Sequence, residues 1–409
     1  MARHLALALV AFATLQPAAL LLAQAPELAS QLPSPPPFET EEPTPLLAQP
    51  IAPLRPALLS DGTVELAYEL ELRSAVGALV LEGLEVLDPL HADAVVASWT
   101  AAQLLPRLKM PGLALPAATW SAGASGLLRV NLAFGGMHAV PVLLDHRFTL
   151  TGQFPGSPEP SRRTQRLARC WVNPRPPPVL SPPLAGERWV VGLVGGDRAH
   201  RTAIMPINGR WVAPERWAVD WVRLDPANRL VTGDPTLNGS YPQYLQPLLA
   251  VADGRVARTR DGMPDIPPGP SPPDITIQDA AGNFVVLDIG QGFFALYAHV
   301  SPGTLRVTEG QTVRRGQVLG LLGNSGNTTG PHLHFHVNDG ALPLASDGVP
   351  YVIDQFVVQG TLVSADDLDT ELRHPEIPVT VVPGPRPGRH AREMPANLGL
   401  ISFPERRGR

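Results

Sequence analysis

The clearest periodic pattern is an alternation of apolar and polar residues that recurs between residues 57 and 155. It is most regular over residues 64–72, where nearly every second residue is apolar, and it returns at 79–87, 126–134 and 139–144. Such alternation is typical of strands with one buried and one exposed face. Several turn-separated strands with little helical periodicity predict an immunoglobulin-like β-sandwich over 57–155.

A second β-rich region follows over residues 185–375. Two apolar runs, 284–288 and 293–299, are separated by Gly290-Gln291-Gly292, which predicts a β-hairpin with His299 at the exit of its second strand. Glycine-rich turns between 308 and 320 indicate further short strands. We therefore expect an all-β protein whose second domain is an antiparallel sheet that forms a groove.

Proline is unusually abundant and unevenly distributed. The chain has 48 prolines among 409 residues, more than twice the usual share of about 5%. Prolines concentrate in segments 26–56 and 156–184, which we expect to be linkers. The Pro- and Arg-rich segment 376–409 has no periodicity, and we expect it to be disordered.

Residues 1–25 have the features of a secretion signal. Arg3 precedes an apolar run over 5–22, and a small-x-small sequence stands at 23–25. Pro17 interrupts the run, which argues against a stable membrane span. The pattern predicts export to the periplasm, the cell envelope or the extracellular space, without stable membrane insertion.

Charge and cysteine content exclude several classes of function. The chain has 32 basic and 37 acidic residues, a net charge of −5, so we expect no nucleic-acid partner. The single cysteine, Cys170, excludes an intramolecular disulfide and any multi-cysteine metal site. It lies in a basic, linker-like stretch, so we do not expect it to be a catalytic thiol.

The strongest candidate for chemistry is a cluster of histidines near residue 332. A Gly/Asn/Ser-rich loop over 323–330 leads through Pro331 into alternating residues that place His332, His334 and His336 on one face of a strand. Three imidazoles on one face are costly to bury unless each ring nitrogen has a hydrogen-bond partner or a metal. The pattern therefore indicates a polar or metal-binding site.

The region from about residue 248 to 338 resembles the lysostaphin/LytM-type zinc metallopeptidases, secreted endopeptidases that cut peptidoglycan cross-links. The resemblance rests on the segment 250–256, on Tyr297-Ala298-His299, on the turns over 310–320 and on the segment 325–335. It implies that His334 binds zinc and that His299 and His332 assist catalysis.

The family's other two zinc ligands lie in a His-x-x-x-Asp motif, and here this sequence departs from the pattern. Asp220 matches the aspartate, but Arg216 stands four residues before it. We expect His200 to replace the missing ligand, because a hairpin over 204–213, turning at Asn208-Gly209, can return the chain beside Asp220. His336 stands where the family usually has glutamate, and it either supports a metal ligand or marks a changed substrate preference.

These inferences predict a zinc endopeptidase with one Zn²⁺ per chain, acting on peptidoglycan or another peptide. The alternative is an inactive relative that binds the cell wall or a partner, which the lost motif spacing favours. A biotinyl/lipoyl-type carrier domain is excluded because residues 305–322 contain no lysine.

We also expect Trp217 and Trp221 to pack in the core, and the Pro-rich segment 258–275 to form one wall of the groove.

Overall fold

The computed structural model describes residues 33–40, 42–111, 118–154, 157, 159–194, 199–363 and 377–404. The predicted signal peptide, residues 1–25, lies outside the described residues. The described residues form almost entirely β structure, with one short α-helix, Ala101–Leu104. This confirms the all-β prediction. Among the described residues, none of the helices has the length and apolar character needed to cross a bilayer.

The N-terminal domain is a sandwich of two antiparallel sheets. The first sheet contains β1 (Leu46–Pro50), β2 (Pro56–Leu58), β3 (Val64–Ser74), β6 (Leu108–Lys109) and β8 (Ser125–Phe134). The second contains β4 (Leu79–Asp88), β5 (Ala94–Thr100), β7 (Thr119–Trp120), β9 (Leu143–Gly152) and β10 (Ser161–Trp171). Its immunoglobulin-like classification stays a prediction.

The alternation along β3 explains how the sandwich forms. Tyr68 and Leu70 point into an apolar core shared with Phe148 and Leu150 of the facing sheet, and all four are at most 2% exposed. Residues at the odd positions of β3 lie on the opposite, outer face. That outer face is also covered, since Ala67 belongs to the core of the second domain.

Both predicted linkers are wrong in part, because they contribute strands to the sandwich. Segment 26–56 contains β1, which pairs with the C-terminal half of β3. Segment 156–184 contains β10, eleven residues long and paired with β9. Gln165 and Leu167 of β10 are buried. Proline content concealed these strands because prolines at their ends, where no ladder hydrogen bond is required, do not prevent pairing.

The second domain is built on one large antiparallel sheet. Its order is β20-β17-β18-β19-β22-β15-β12-β27-β24-β25, with β26 also paired to β24. The strands are β12 (Gly186–Gly192), β15 (Val219–Arg223), β17 (Gly254–Arg260), β18 (Phe284–Asp288), β19 (Phe294–Ala298), β20 (Thr312–Val313), β22 (Leu333–Asn338), β24 (Phe356–Leu362), β25 (Val381–Val382), β26 (Gly388–His390) and β27 (Gly399–Phe403).

Three smaller pairs complete the described strands. β13 (Met205–Ile207) pairs with β14 (Arg210–Val212), and β16 (Pro247–Leu249) pairs with β21 (Val318–Leu321). β11 (Val179–Leu180) and β23 (Val352–Ile353) form a parallel pair. Short 3₁₀ turns occur at Leu105–Arg107, Met137–Ala139, Ala199–Thr202 and Asn238–Ser240.

The disorder predicted for 376–409 is wrong for the described part of that segment. β27 lies between β12 and β24 in the large sheet, so the second domain extends beyond residue 375. Leu400, Ile401 and Phe403 are at most 3% exposed. Burial of these apolar side chains and pairing on both edges of the strand outweigh the local absence of periodicity.

A buried histidine and tyrosine pair lies in the sandwich core. The Tyr68 hydroxyl is 2.7 Å from His146 Nε2, and His146 Nδ1 is 3.0 Å from the Ala168 carbonyl oxygen. Because a carbonyl oxygen only accepts, Nδ1–H donates to Ala168 and the tyrosine hydroxyl donates to Nε2. Burial lowers the pKa of His146 to about 4.

We expect this histidine to make the sandwich acid-sensitive. Between pH 6.5 and 4 the unfolded chain binds a proton at residue 146 that the folded chain does not, so stability present above pH 6.5 is lost as the pH falls. The expected loss between pH 7 and pH 5 is about 2 kcal/mol. Urea denaturation at both pH values measures it, and His146→Gln, which does not titrate, should lose correspondingly less. An equal loss in both proteins would contradict the assignment.

Candidate functional site

The site is organised by the pairing of β15 with β22. Asp220 and His334 are directly opposite each other in this antiparallel register, and residues in that relation have Cβ atoms about 5 Å apart. His334 Nδ1 lies 2.9 Å from Asp220 Oδ1. Leu333 and Phe335 point to the opposite side and are fully buried in the core, which orients His334 toward the groove.

His200 reaches the same carboxylate from a segment outside the sheet. It lies in the 3₁₀ turn before the β13–β14 hairpin, which turns at Asn208 and Gly209 with φ values of 51° and 80°. Two consecutive positive φ values are the geometry of a tight two-residue hairpin. His200 Nε2 is 3.3 Å from Asp220 Oδ2. The structure thus brings together the three residues predicted to bind metal.

This trio offers a donor set suited to zinc. One ligand atom each from His200, Asp220 and His334 lie within 4.8 Å of one another. Two imidazole nitrogens and one carboxylate oxygen, leaving one position for water or substrate, are typical of catalytic zinc. In each histidine, one ring nitrogen faces Asp220 and the other has a separate contact. His200 Nδ1 lies 3.2 Å from the Ala218 carbonyl oxygen, and His334 Nε2 lies 3.1 Å from His336 Nδ1. Such outer contacts fix the ring orientation of metal ligands.

The charges at the site are set by the Asp220 carboxylate and its histidine neighbours. Burial opposes ionisation of both groups, but mutual attraction outweighs it. The Asp220 carboxylate raises the pKa of His200 to about 9, and His200 and His332 hold the pKa of Asp220 well below its usual range. At neutral pH the Asp220 carboxylate is therefore ionised and His200 is protonated beside it, so a metal ion that binds here displaces the His200 proton.

The two predicted catalytic histidines lie on the other side of His334. His299 follows β19 with a φ of 61°, and its ring centroid is 4.7 Å from that of His332. His299 Nδ1 is 2.7 Å from the Ser325 carbonyl oxygen, and His332 Nδ1 is 2.9 Å from that of Gly330. Carbonyl oxygens only accept, so Nδ1 of each ring carries the proton and Nε2 keeps its lone pair.

Burial lowers the pKa of both His299 and His332, with neighbouring histidines adding to the effect for His299. The two rings are therefore neutral at pH 7, and each can accept a proton at Nε2. His332 Nε2 lies 3.5 Å from Asp220 Oδ1. These two bases thus stand next to the candidate metal trio rather than in a separate site.

His336 contacts the ring of His334. Its Nδ1 is 3.1 Å from His334 Nε2, and its Nε2 is 3.2 Å from Asn338 Nδ2. His336 is fully buried, and burial keeps its pKa well below the ordinary value. His336 thus occupies the Nε2 side of the His334 ring, and His334 Nδ1 is the nitrogen that faces Asp220.

The histidines line a groove of about 320 Å³. The Pro-rich segment contributes Ser271 to its lining, as expected, and Glu215 and Leu344 also line it. Asp265 anchors the Pro-rich segment, since its carboxylate accepts hydrogen bonds from the Asn324 backbone N–H (2.7 Å) and from other neighbours. The wall is therefore tied to the loop that precedes the histidine strand.

Trp217 and Trp221 are at most 1% exposed and pack in the domain core, as expected. Burial raises the pKa of the Cys170 thiol to about 12, which agrees with a structural role.

Sequence reasoning missed Glu69, a buried carboxylate of the sandwich that contacts Arg216. The alternation along β3 assigns Glu69 to the exposed face, so no local signal marks it.

Comparison with known proteins identifies part of the chain. Residues 242–345 match the model of peptidase family M23, so this part is an M23 peptidase domain. It includes His299, His332 and His334, whereas His200 and Asp220 lie upstream of it.

The chain is 31% identical over 132 residues to the peptidoglycan DD-endopeptidase ShyA of Vibrio cholerae, covering 32% of this chain and 26% of that protein. It is 42% identical over 64 residues to an uncharacterized metalloprotease of Haemophilus influenzae, covering 15% and 13%. The chain thus spans about a quarter or less of the length of these relatives. A solved zinc-containing peptidase from Vibrio cholerae aligns at 14% identity with a TM-score of 0.23, covering 69% of this chain and 80% of that one.

We expect Asp265→Ala to loosen the groove wall without unfolding the sheet. The change leaves the buried Asn324 backbone N–H without its acceptor, a cost of about 1–3 kcal/mol, so amide hydrogen exchange over 261–275 should accelerate about fivefold or more. Asp274→Ala, an exposed aspartate in the same segment, is the matched control. Unchanged exchange in Asp265→Ala would show that other contacts hold the wall.

Proposed function

We propose that this chain, through its M23 domain, is an exported zinc-dependent endopeptidase that hydrolyses peptide bonds in peptidoglycan cross-links. The observation that carries the proposal is the position of Asp220, 2.9 Å from His334 and 3.3 Å from His200, with His299 and His332 beside them. Metal ligands and proton acceptors therefore face one groove.

His200, Asp220 and His334 would hold one zinc ion per chain. Bound in such a set, zinc polarises the scissile carbonyl and lowers the pKa of water. The donor set is chemically suitable, because a carboxylate kept ionised by its neighbours balances part of the charge of a divalent cation. His200 and His334 are each held through their second ring nitrogen, so the ligand atoms are oriented in advance.

His299 and His332 would move the proton. Each ring is neutral and presents Nε2 with a free lone pair, so each can accept a proton from the attacking water. Once protonated, the same nitrogen becomes a donor to the developing oxyanion or to the leaving amine. Both rings are fixed by backbone carbonyls, so proton transfer requires little reorientation.

Peptidoglycan is proposed as the substrate on two grounds. A relative that is 31% identical over 132 residues is named a peptidoglycan DD-endopeptidase, and the N-terminal sequence has the features of an export signal. An exported protein meets peptidoglycan in the envelope. The groove is lined in part by polar side chains that can hydrogen-bond a peptide, among them Glu215, Asn327 and Thr329.

The rival proposal is a non-catalytic relative that binds the cell wall or a partner. Its support is Arg216, which stands where the family motif has histidine. His200 weakens that argument, because it lies beside Asp220 although it comes from 20 residues upstream in the chain.

Zinc content separates the proposed ligands from the proposed bases. We expect about one zinc per chain in the purified protein, and its loss in His334→Ala and His200→Ala, which remove ligand atoms. His299→Ala and His332→Ala should retain the metal. Elemental mass spectrometry measures all five proteins. Full zinc occupancy in His200→Ala would remove His200 from the ligand set while leaving the rest of the site standing.

Hydrolysis is tested on isolated peptidoglycan. We expect the chain to convert cross-linked muropeptide dimers to monomers, and His299→Ala or His332→Ala to reduce the rate about 100-fold or more, because each removes a general base. Chromatography with mass spectrometry identifies the products. Zinc-loaded protein that sediments with peptidoglycan and releases no product would favour the rival proposal.

A further inference from the structure

A buried carboxylate of the sandwich, that of Glu69, contacts the segment 199–218, which carries His200. Glu69 lies on the outer face of β3 and is only 1% exposed. One of its oxygens accepts from Arg201 Nη1, and the other accepts from Arg216 at 2.9 Å (Nε) and 2.6 Å (Nη2). Arg201 is 1% and Arg216 5% exposed, so the three charges are shielded from water.

The two arginines flank the proposed zinc ligands in the sequence. Arg201 directly follows His200, and Arg216 lies four residues before Asp220. Arg216 also donates to Asp347 Oδ1 at 3.2 Å and to the Gly348 carbonyl oxygen at 2.8 Å. Glu69 therefore connects the two ends of the segment that supplies His200 and leads into Asp220.

That segment depends on the sandwich for its position. Residues 199–218 lie outside the large sheet, and Lys109 of β6 donates to the carbonyl oxygens of Thr202 (3.1 Å) and Ile204 (2.6 Å). Arg201 Nη2 donates to Asn131 Oδ1 of β8 at 3.0 Å. Ile204 also packs against the sandwich in a small apolar cluster. His200 is thus held against the second domain by contacts with the first.

Charge balance shows why the carboxylate is needed. Arg201 and Arg216 are opposed by Glu69 and Asp347. Removing one member of a buried ion network leaves an uncompensated charge, which is far more costly than removing a surface pair. Burial works against ionisation of Glu69, but the two arginines outweigh it and keep its pKa below the ordinary value. Movement of the segment would relieve the unbalanced charge, and it would displace His200, which directly precedes Arg201.

We propose that Glu69 of the sandwich is a positioning residue for the zinc site, and that the sandwich and the M23 domain form one functional unit through it. Glu69 acts at a distance: it fixes Arg201 and Arg216, and these fix the backbone that presents His200 and Asp220. The inference rests on the zinc site described under the proposed function.

The test compares zinc affinity in the full chain with Glu69→Gln, which keeps the shape and removes the charge. Glu71→Gln is the matched control, because Glu71 lies two residues along the same strand face and contacts Gln49 rather than an arginine of the second domain. Chelator competition well below the unfolding temperature gives the zinc dissociation constant of the folded proteins. We expect it to rise about tenfold or more in Glu69→Gln and to stay unchanged in Glu71→Gln.

A second readout separates positioning from general stability. In Co²⁺-loaded protein the visible absorption spectrum reports ligand geometry, and we expect it to change in Glu69→Gln. A folded Glu69→Gln protein with the wild-type dissociation constant and spectrum would overturn the proposal. If Glu69→Gln does not fold, Lys109→Met decides, since it removes two contacts to the same segment: weaker zinc binding supports the proposal and unchanged binding refutes it. Wild-type protein that binds no zinc would instead overturn the proposed function.

Discussion

The register between β15 and β22 is the constraint on which the rest of the site depends. It sets Asp220 opposite His334, and antiparallel pairing leaves such residues close enough to share a metal ion. A shift of one residue would turn His334 into the core and Phe335 into the groove. The apolar face of β22, with Leu333, Phe335 and Val337 all fully buried, makes that shift prohibitively costly. Burial of three apolar side chains thus secures the position of the imidazole that is proposed to bind the metal.

Several buried histidine side chains surround this pair, and their hydrogen bonds offset the desolvation cost of burying them. His299 and His332 donate to backbone carbonyls, and His334 contacts both Asp220 and His336. Burial favours the neutral form of most of these rings, which is the form that binds metal or accepts a proton. The proposed ligands and bases thus share one residue type, and each ring is held by a contact at its second nitrogen.

The sandwich is more than a spacer in this arrangement. Its strand β3 buries Tyr68 in its own core and Glu69 against the second domain. An alternating strand ordinarily leaves its polar face in water, and here that face is covered by the segment carrying His200. Arg216, which departs from the family motif, finds its partner in Glu69. Arg216 is therefore both the residue that departs from the family motif and one side of the contact between the two domains.

Sequence alone determined the elements whose signal is local. Alternation predicted β3 and the histidine strand, Asn208-Gly209 predicted the hairpin after His200, and the short motifs between residues 297 and 335 predicted the M23 domain. The sequence analysis did not predict β27 or the strands in the Pro-rich segments. These strands depend on long-range pairing and burial, which leave no local pattern in the sequence. Whether His200 meets Asp220 was a hypothesis from the sequence, and the folded chain sets them 3.3 Å apart. Only the tertiary structure decided that Glu69 is buried, because the group that covers it lies more than 100 residues away along the chain.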